Sequence, residues 1–174
     1  NQTYHKWELI FWDNKSSDKS AAIFKSFKDK RLKYYYTKKK VSLYESRNAA
    51  IKKAKGEFIA FLDVDDYWFK DKLKYQIKKF KDRKVGLVYG KIWRINKNNY
   101  FRKKTLLFKE DLPTGMITKN LLKKYYVPLV TIIIRKKFIQ NKKEVFRVKY
   151  NYLGDLDFVL RFSLKYNLEA VQKP

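Results

Sequence analysis

Three carboxylates crowd into four positions, Asp63, Asp65 and Asp66, where the apolar run "EFIAFLD" ends. Carboxylates this close repel one another, and the arrangement persists where something positive compensates it. Hard divalent cations such as Mg2+ and Mn2+ take oxygen ligands, commonly one or two carboxylates together with a substrate's phosphates. A D-x-D at a strand end suits that chemistry. A turn there aims one carboxylate at a ribose and another at a metal, and the metal holds a diphosphate and stabilises it as a leaving group. The plainer alternative is a solvated acidic loop, with Asp66 capping the next helix and Lys70 or Lys72 neutralising the rest. An EF-hand calcium loop is excluded, because Tyr67 and Trp68 stand where a further oxygen ligand and a glycine are needed.

Little other catalytic chemistry is on offer. There is no cysteine, which removes disulfides, thiolate metal sites and a Cys nucleophile and agrees with a reducing compartment. The single histidine, His5, leaves no basis for a zinc site built on several His. The formal charge of +26 creates a field that attracts phosphates and acidic membrane surfaces, although the lysines are scattered and run together only briefly, as at Lys38–Lys40. No run approaches the ~18 apolar residues that span a bilayer.

The elements that must position the acidic cluster read as one α/β domain. With 45% hydrophobic and 18% aromatic residues, the 174-residue chain can bury a core. "WELIFWD" (7–13) is apolar on both faces apart from Glu8 and reads as a strand buried between two layers. A loop with cap candidates Ser16, Ser17 and Asp18 leads into a helix with Ile23, Phe24 and Phe27 on one stripe. "RLKYYY" reads as a strand, and Ser42 with Glu45 has capping-box spacing before a helix that stops at Gly56. "EFIAFLD" is a buried strand, and the helix after it carries Leu73, Ile77 and Phe80 on one side. "VGLVYG" is a further strand, and "KIWRI–NKNN–YFRKK" a hairpin. This strand–helix alternation predicts an α/β layer sandwich with a mainly parallel sheet, in which ligands sit beyond the carboxyl ends of the strands. In the second half, "MITKNLLKKYY" and Asp155–Tyr166 read as helices and Val130–Arg135 as a strand.

At this point the sequence resembles the inverting nucleotide-sugar glycosyltransferases of family 2, which have the GT-A fold. "SLYESRNAAIKKAKGEFIAFLDVDDYWFKDKL" resembles the family segment S-x-A-R-N-x-G-I-x-x-A-K-G-E-Y-I-A-F-L-D-x-D-D. Upstream, "NQTYHKWELIFWDNKSSDKS" is similar to the family's second strand and its acidic loop; downstream, "VTIIIRKKFI" and "YLGDLDFVLRF" are similar to its late strand and its Glu-Asp-x-Asp helix. The resemblance runs along the whole chain in family order.

The resemblance implies a GT-A three-layer α/β/α sandwich forming a single domain over residues 1–174, with residues 1–90 the nucleotide-sugar half and 91–174 the acceptor-side half. By resemblance, Asp13 contacts the nucleotide base, and Asn14 stands where the family usually has a second Asp. Arg47 and Asn48 match the Arg-Asn beside the nucleotide; the plainer role for Arg47 is an ion pair with Glu45 or with the acidic cluster. Asp63 falls near the ribose and Asp65 on the metal, with Asp63 also counted among the metal residues. Asp155 matches the general base, with Gly154 in the usual Glu position; the plainer role for Asp155 is a helix N-cap. Asp157 suits the helix dipole, and Trp68 and Trp93 are read first as packing residues. The implied cofactor is Mn2+ or Mg2+, with a nucleotide-sugar as co-substrate.

Family members begin with a further strand and helix, about 25–35 residues, so the resemblance reads this chain as N-terminally truncated and doubtful as a catalyst by itself. The absent strand would lie between "WELIFWD" and "EFIAFLD". The expectation is that those two strands pair directly or that another copy fills the gap. The reading is therefore a metal-dependent inverting glycosyltransferase of cell-surface glycan synthesis, cytoplasmic or peripheral on the inner membrane surface. Its acceptor is a glycan, a lipid-linked sugar or a protein. The runner-up is a non-catalytic basic nucleic-acid-binding module, drawn from the charge and the 14 Tyr and 13 Phe.

Overall fold

The structure is a computed structural model that describes residues 1–96 and 103–174. In chain order the elements are β1 (Leu9–Asp13), α1 (Ser20–Ser26), β2 (Leu32–Tyr36), α2 (Leu43–Lys53), β3 (Phe58–Ala60), α3 (Lys72–Lys78), β4 (Val85–Gly90), β5 (Trp93–Asn96), β6 (Lys103–Leu106), α4 (Thr118–Lys123), β7 (Ile133–Arg135), α5 (Gly154–Ser163) and β8 (Asn167–Val171). Short 3-10 turns follow α3 and flank β7.

The central sheet has the order β3-β7-β4-β8. Residues that alternate along its strands point to opposite faces. Ile59, Leu87 and Ile134 face Tyr44 and Ile51 of α2 and Phe158, Val159 and Phe162 of α5. Val88 and Ile133 face Leu73 of α3, Phe80, and Tyr4 and Trp7 of the N-terminal segment. Helices on both faces of one sheet make the three layers. Each fully buried large apolar side chain contributes about 1.5–3 kcal/mol. Among the described residues, no helix is long and apolar enough to cross a membrane.

The sheet is mixed where the sequence predicts a mainly parallel one. β4 and β8 are parallel, but β7 runs antiparallel to both β3 and β4 and lies between them. The regular alternation ends at Gly90, and the strand that interrupts the parallel order arrives later in the chain. β7 is also shorter than Val130–Arg135, because Leu129–Thr131 is a 3-10 turn. β8 was not anticipated; its five residues follow directly on α5 and cover the β4 edge.

β1 and β2 form a separate parallel pair. β1 is half-buried along its length except at Asp13, not sandwiched between layers as its composition implies. Of the two alternatives for these strands, direct pairing of β1 with β3 does not form: among the described residues β1 pairs with β2 alone and β3 with β7 alone. The two are tied instead at their starts, where one Glu8 carboxylate oxygen accepts from the backbone N–H groups of Lys55 at 2.6 Å and Gly56 at 3.2 Å. The apolar stripe of α1 also behaves differently from expectation. Phe24 stacks on Phe11, 4.7 Å between centroids, whereas Ile23 and Phe27 are exposed. A two-stranded sheet offers too narrow a surface to cover a whole helix face. β5 and β6 pair antiparallel as the expected hairpin, and its turn lies outside the described residues.

Candidate active site

The acidic cluster occupies a tight turn just beyond β3. The backbone N–H of Asp66 donates to the Asp63 carbonyl at 3.1 Å. The turn separates the three carboxylates by role. Asp63 is held by Arg47, whose Nη2 lies 2.8 Å from Oδ1 and 3.1 Å from Oδ2. Asp65 is exposed and has no hydrogen bond or ion pair among the described residues. Asp66 is pushed above its ordinary pKa, first by burial and then by the neighbouring charges of Asp65 and Asp63. It does not cap a helix, since α3 starts six residues later behind Asp71. Neither Lys70 nor Lys72 neutralises the cluster: neither ammonium forms an ion pair among the described residues.

This donor set suits a hard cation. It is all oxygen, one member is exposed and unpaired among the described residues, and burial, with the charges of Asp65 and Asp63 adding to it, already raises Asp66. Among the described residues no three His, Asp or Glu side chains converge as a closed cage. A cation at Asp65 and Asp63 would therefore keep most of its coordination for phosphate and water.

Helix α2 carries the groups that organise this turn. Its start is the expected capping box: the Glu45 N–H donates to Ser42 Oγ at 3.3 Å, and the Ser42 N–H donates to Glu45 Oε2 at 2.8 Å. Glu45 is thereby occupied, and Arg47, two residues on, pairs with the acidic cluster instead. Asn48 points elsewhere. Its Nδ2 donates to the Phe146 carbonyl at 2.7 Å, and its Oδ1 accepts from the Val145 and Phe146 N–H groups at 3.2 and 3.0 Å. All its amide groups hold the segment that leads to α5.

Asp13 ends β1 and is 2% exposed. Its Oδ2 accepts from the Tyr34 hydroxyl at 2.5 Å and its Oδ1 from the Ser16 N–H at 2.7 Å. Burial works to raise its pKa, but the hydrogen bonds from Tyr34 and Ser16 outweigh it and hold the carboxyl below its ordinary range. Asn14 closes the same loop, exchanging two hydrogen bonds with Val41 at 2.8 and 3.0 Å. The pair shapes the mouth of the β1 loop, and Asp13 has no free oxygen turned outward.

Asp155 lies in the first turn of α5, and the N-cap position belongs to Leu153. The Tyr44 hydroxyl of α2 is 3.4 Å from Asp155 Oδ1. Since Tyr44 precedes Arg47 by one helical turn, the same stretch of α2 touches both Asp155 and Asp63. Asp157 is committed to Arg161 at 2.9 Å and Arg147 at 3.3 Å.

A cavity of about 550 Å3 opens beside Asp65 and Asp66, walled by Tyr67, Trp68, Tyr75 and Trp93. Trp68 is fixed by its indole N–H to the Val130 carbonyl at 2.9 Å. Lys72 reaches Gln76 Oε1 at 2.6 Å and lies over the Trp68 ring. Lys72 is half-buried as a residue, and desolvation of its ammonium pulls its pKa down to about 7. Apolar faces with a few polar groups are the usual lining of a small-molecule pocket. Tyr44, Tyr34 and Gln76 had no signal in the sequence as site residues, because an isolated Tyr or Gln reads as packing until its partners are known.

Comparison with known proteins gives the family and the fold. Residues 1–148 match the family model described as Glycosyl transferase family 2. The chain is 32% identical over 138 residues to the Escherichia coli UDP-Glc:alpha-D-GlcNAc-diphosphoundecaprenol beta-1,3-glucosyltransferase WfgD, covering 79% of this chain and 52% of that protein. Against the similarly named E. coli enzyme WfaP it is 30% identical over 169 residues, 94% of this chain and 61% of that one. The chain thus spans a little over half the length of these relatives. Among solved structures, S. aureus TarS 1-349 in complex with UDP superposes with a TM-score of 0.74 at 23% identity, over 98% of this chain and 53% of that one. The same protein in complex with UDP-GlcNAc gives 0.74 at 21% identity, over 99% and 52%. At these identities the structural likeness speaks for the α/β GT-A fold, and the family-model match carries the assignment: this chain belongs to glycosyl transferase family 2.

Proposed function

We propose that this domain moves a glycosyl group from a nucleotide-sugar donor to a hydroxyl acceptor, with inversion at the anomeric carbon. The observation that supports the reading is the joint contact of α2 with Asp63 through Arg47 and with Asp155 through Tyr44, so that the carboxylate read as the donor-side group and the one read as the base are both held from one end of that helix. Asp155 takes the proton of the acceptor hydroxyl as that oxygen bonds to the anomeric carbon. The bond from that carbon to the diphosphate oxygen breaks, and the nucleoside diphosphate leaves. Asp65 and Asp63 would hold the Mn2+ or Mg2+, whose charge stabilises the leaving diphosphate. Arg47 pairs with Asp63 and orients it. Residues 1–90 serve the donor and residues 91–174 the acceptor, although β7 and β8 of the second half complete the central sheet.

The names of the relatives favour UDP-glucose as donor and a GlcNAc-diphospho-lipid as acceptor. A lipid-linked acceptor, with the charge of +26, favours work at an anionic cytoplasmic membrane surface. The nucleic-acid reading has no comparable support. The test is calorimetric titration of UDP, GDP and dTDP with and without Mn2+. We expect UDP binding that requires the metal and is lost in Asp65→Ala; metal-independent binding unaffected by that change would refute the site.

A further inference from the structure

The junction between α2 and α5 contains a second structural demand. Tyr44 is 3% exposed and lies 110 residues before Gly154 in the chain. Its hydroxyl oxygen accepts from the Gly154 N–H at 2.9 Å and the Asp155 N–H at 3.3 Å, and donates toward Asp155 Oδ1 at 3.4 Å. A helix N-terminus leaves its first N–H groups without partners. The N-cap residue of α5, Leu153, makes no side-chain bond to them. Tyr44 therefore caps α5 from another helix.

The cap is possible because residue 154 has no side chain. A Cβ there would lie 2.5 Å from Cε2 and 2.6 Å from Cζ of Tyr44. The ring cannot retreat easily, being stacked on the fully buried Phe146 at 5.6 Å between centroids. The position where the resemblance leads one to expect Glu is thus filled by the Tyr44 ring, and the Tyr44 hydroxyl stands beside Asp155. Glycine at 154 and tyrosine at 44 form one device.

We propose that Tyr44 is a positioning residue for glycosyl transfer: its hydroxyl, admitted by Gly154, sets both the start of α5 and the direction of the Asp155 carboxylate. This rests on the reading of Asp155 as the base. Tyr44 does not meet substrate in this role. It acts by holding Asp155 where an acceptor hydroxyl can be deprotonated, and misplacing a catalytic group by about 1 Å costs up to ~100-fold in rate.

The test compares Tyr44→Phe, Gly154→Ala and Asp155→Asn in the full chain, by donor turnover and by hydrogen exchange at the Gly154 and Asp155 amides. Tyr44→Phe keeps the ring and removes only the hydroxyl. We expect kcat to fall about ten- to a hundredfold, donor KM to stay unchanged, and those two amides to exchange faster while Ile59 stays protected. Gly154→Ala, which drives the ring away, gives the same split of kcat from KM. Faster exchange with kcat at the wild-type level would leave Tyr44 a structural cap alone and overturn the proposal. Full turnover in Asp155→Asn would instead refute the base assignment, and the positioning role with it. Loss of turnover in Asp155→Asn with Tyr44→Phe unaffected would sink the positioning role alone.

Discussion

At the scale of single residues, the acidic turn shows how one charge type is given several tasks. Asp63 is paired with Arg47, Asp65 has no partner among the described residues, and Asp66 is made harder to ionise by burial and by its neighbours' charges. Replacing Asp155 by Asn should lower turnover by about 100- to 10,000-fold while donor affinity, measured by calorimetry, is retained. Lys72 makes a separate prediction. Its pKa in the folded chain is about 7, against an ordinary 10.5. Between those values the unfolded chain binds the extra proton, so stability should rise as pH increases from about 7 toward 10. The slope should be at most about 1.4 kcal/mol per pH unit for one proton. Below pH 7 both states are protonated and the full cost of the buried ammonium is present. Lys72→Met should raise the melting temperature at pH 6 and flatten the profile above pH 7; an unchanged profile would show that Lys72 titrates normally.

At the scale of elements, α2 is the member that connects the rest. Its capped first turn places Tyr44 toward α5, Arg47 toward the acidic turn and Asn48 toward the Val145–Phe146 backbone. The three neighbouring side chains hold three segments distant in sequence. Asn48→Ala should leave the buried N–H groups of Val145 and Phe146 without their partner and cost about 1–3 kcal/mol. Denaturant unfolding would measure it. Because the freed segment leads into α5, turnover should fall as well, while the metal dependence of donor binding is kept.

At the scale of the whole molecule, charge and topology dominate. The chain carries 43 Lys and Arg against 17 Asp and Glu, a formal charge of +26, so most of its positive charge is uncompensated within it. We expect binding to vesicles containing anionic lipid at low salt, falling steeply toward ~0.5 M as the field is screened, and no binding to neutral vesicles. Co-sedimentation across a salt series checks this; binding insensitive to salt would point to an apolar contact instead. The separation of the β1–β2 pair from the central sheet is the other global feature. Instead of an edge-to-edge contact, a side-chain bridge through Glu8 links the start of β1 to the start of β3.

What the sequence determined by itself was local or carried by a contiguous motif. The capping box at Ser42, the apolar cluster of Leu73, Ile77 and Phe80 and the family of the domain all follow from contiguous stretches of sequence. The tertiary structure decided what depends on distant partners. It reversed β7 within the sheet, added β8 to its edge, turned Asp13 and Asn48 inward onto the chain's own groups, and paired Tyr44 with Gly154. The physical reason is range. Caps, periodicity and charge repulsion act over a few residues, whereas strand order, burial and a hydroxyl shared between two helices depend on which remote segments pack together.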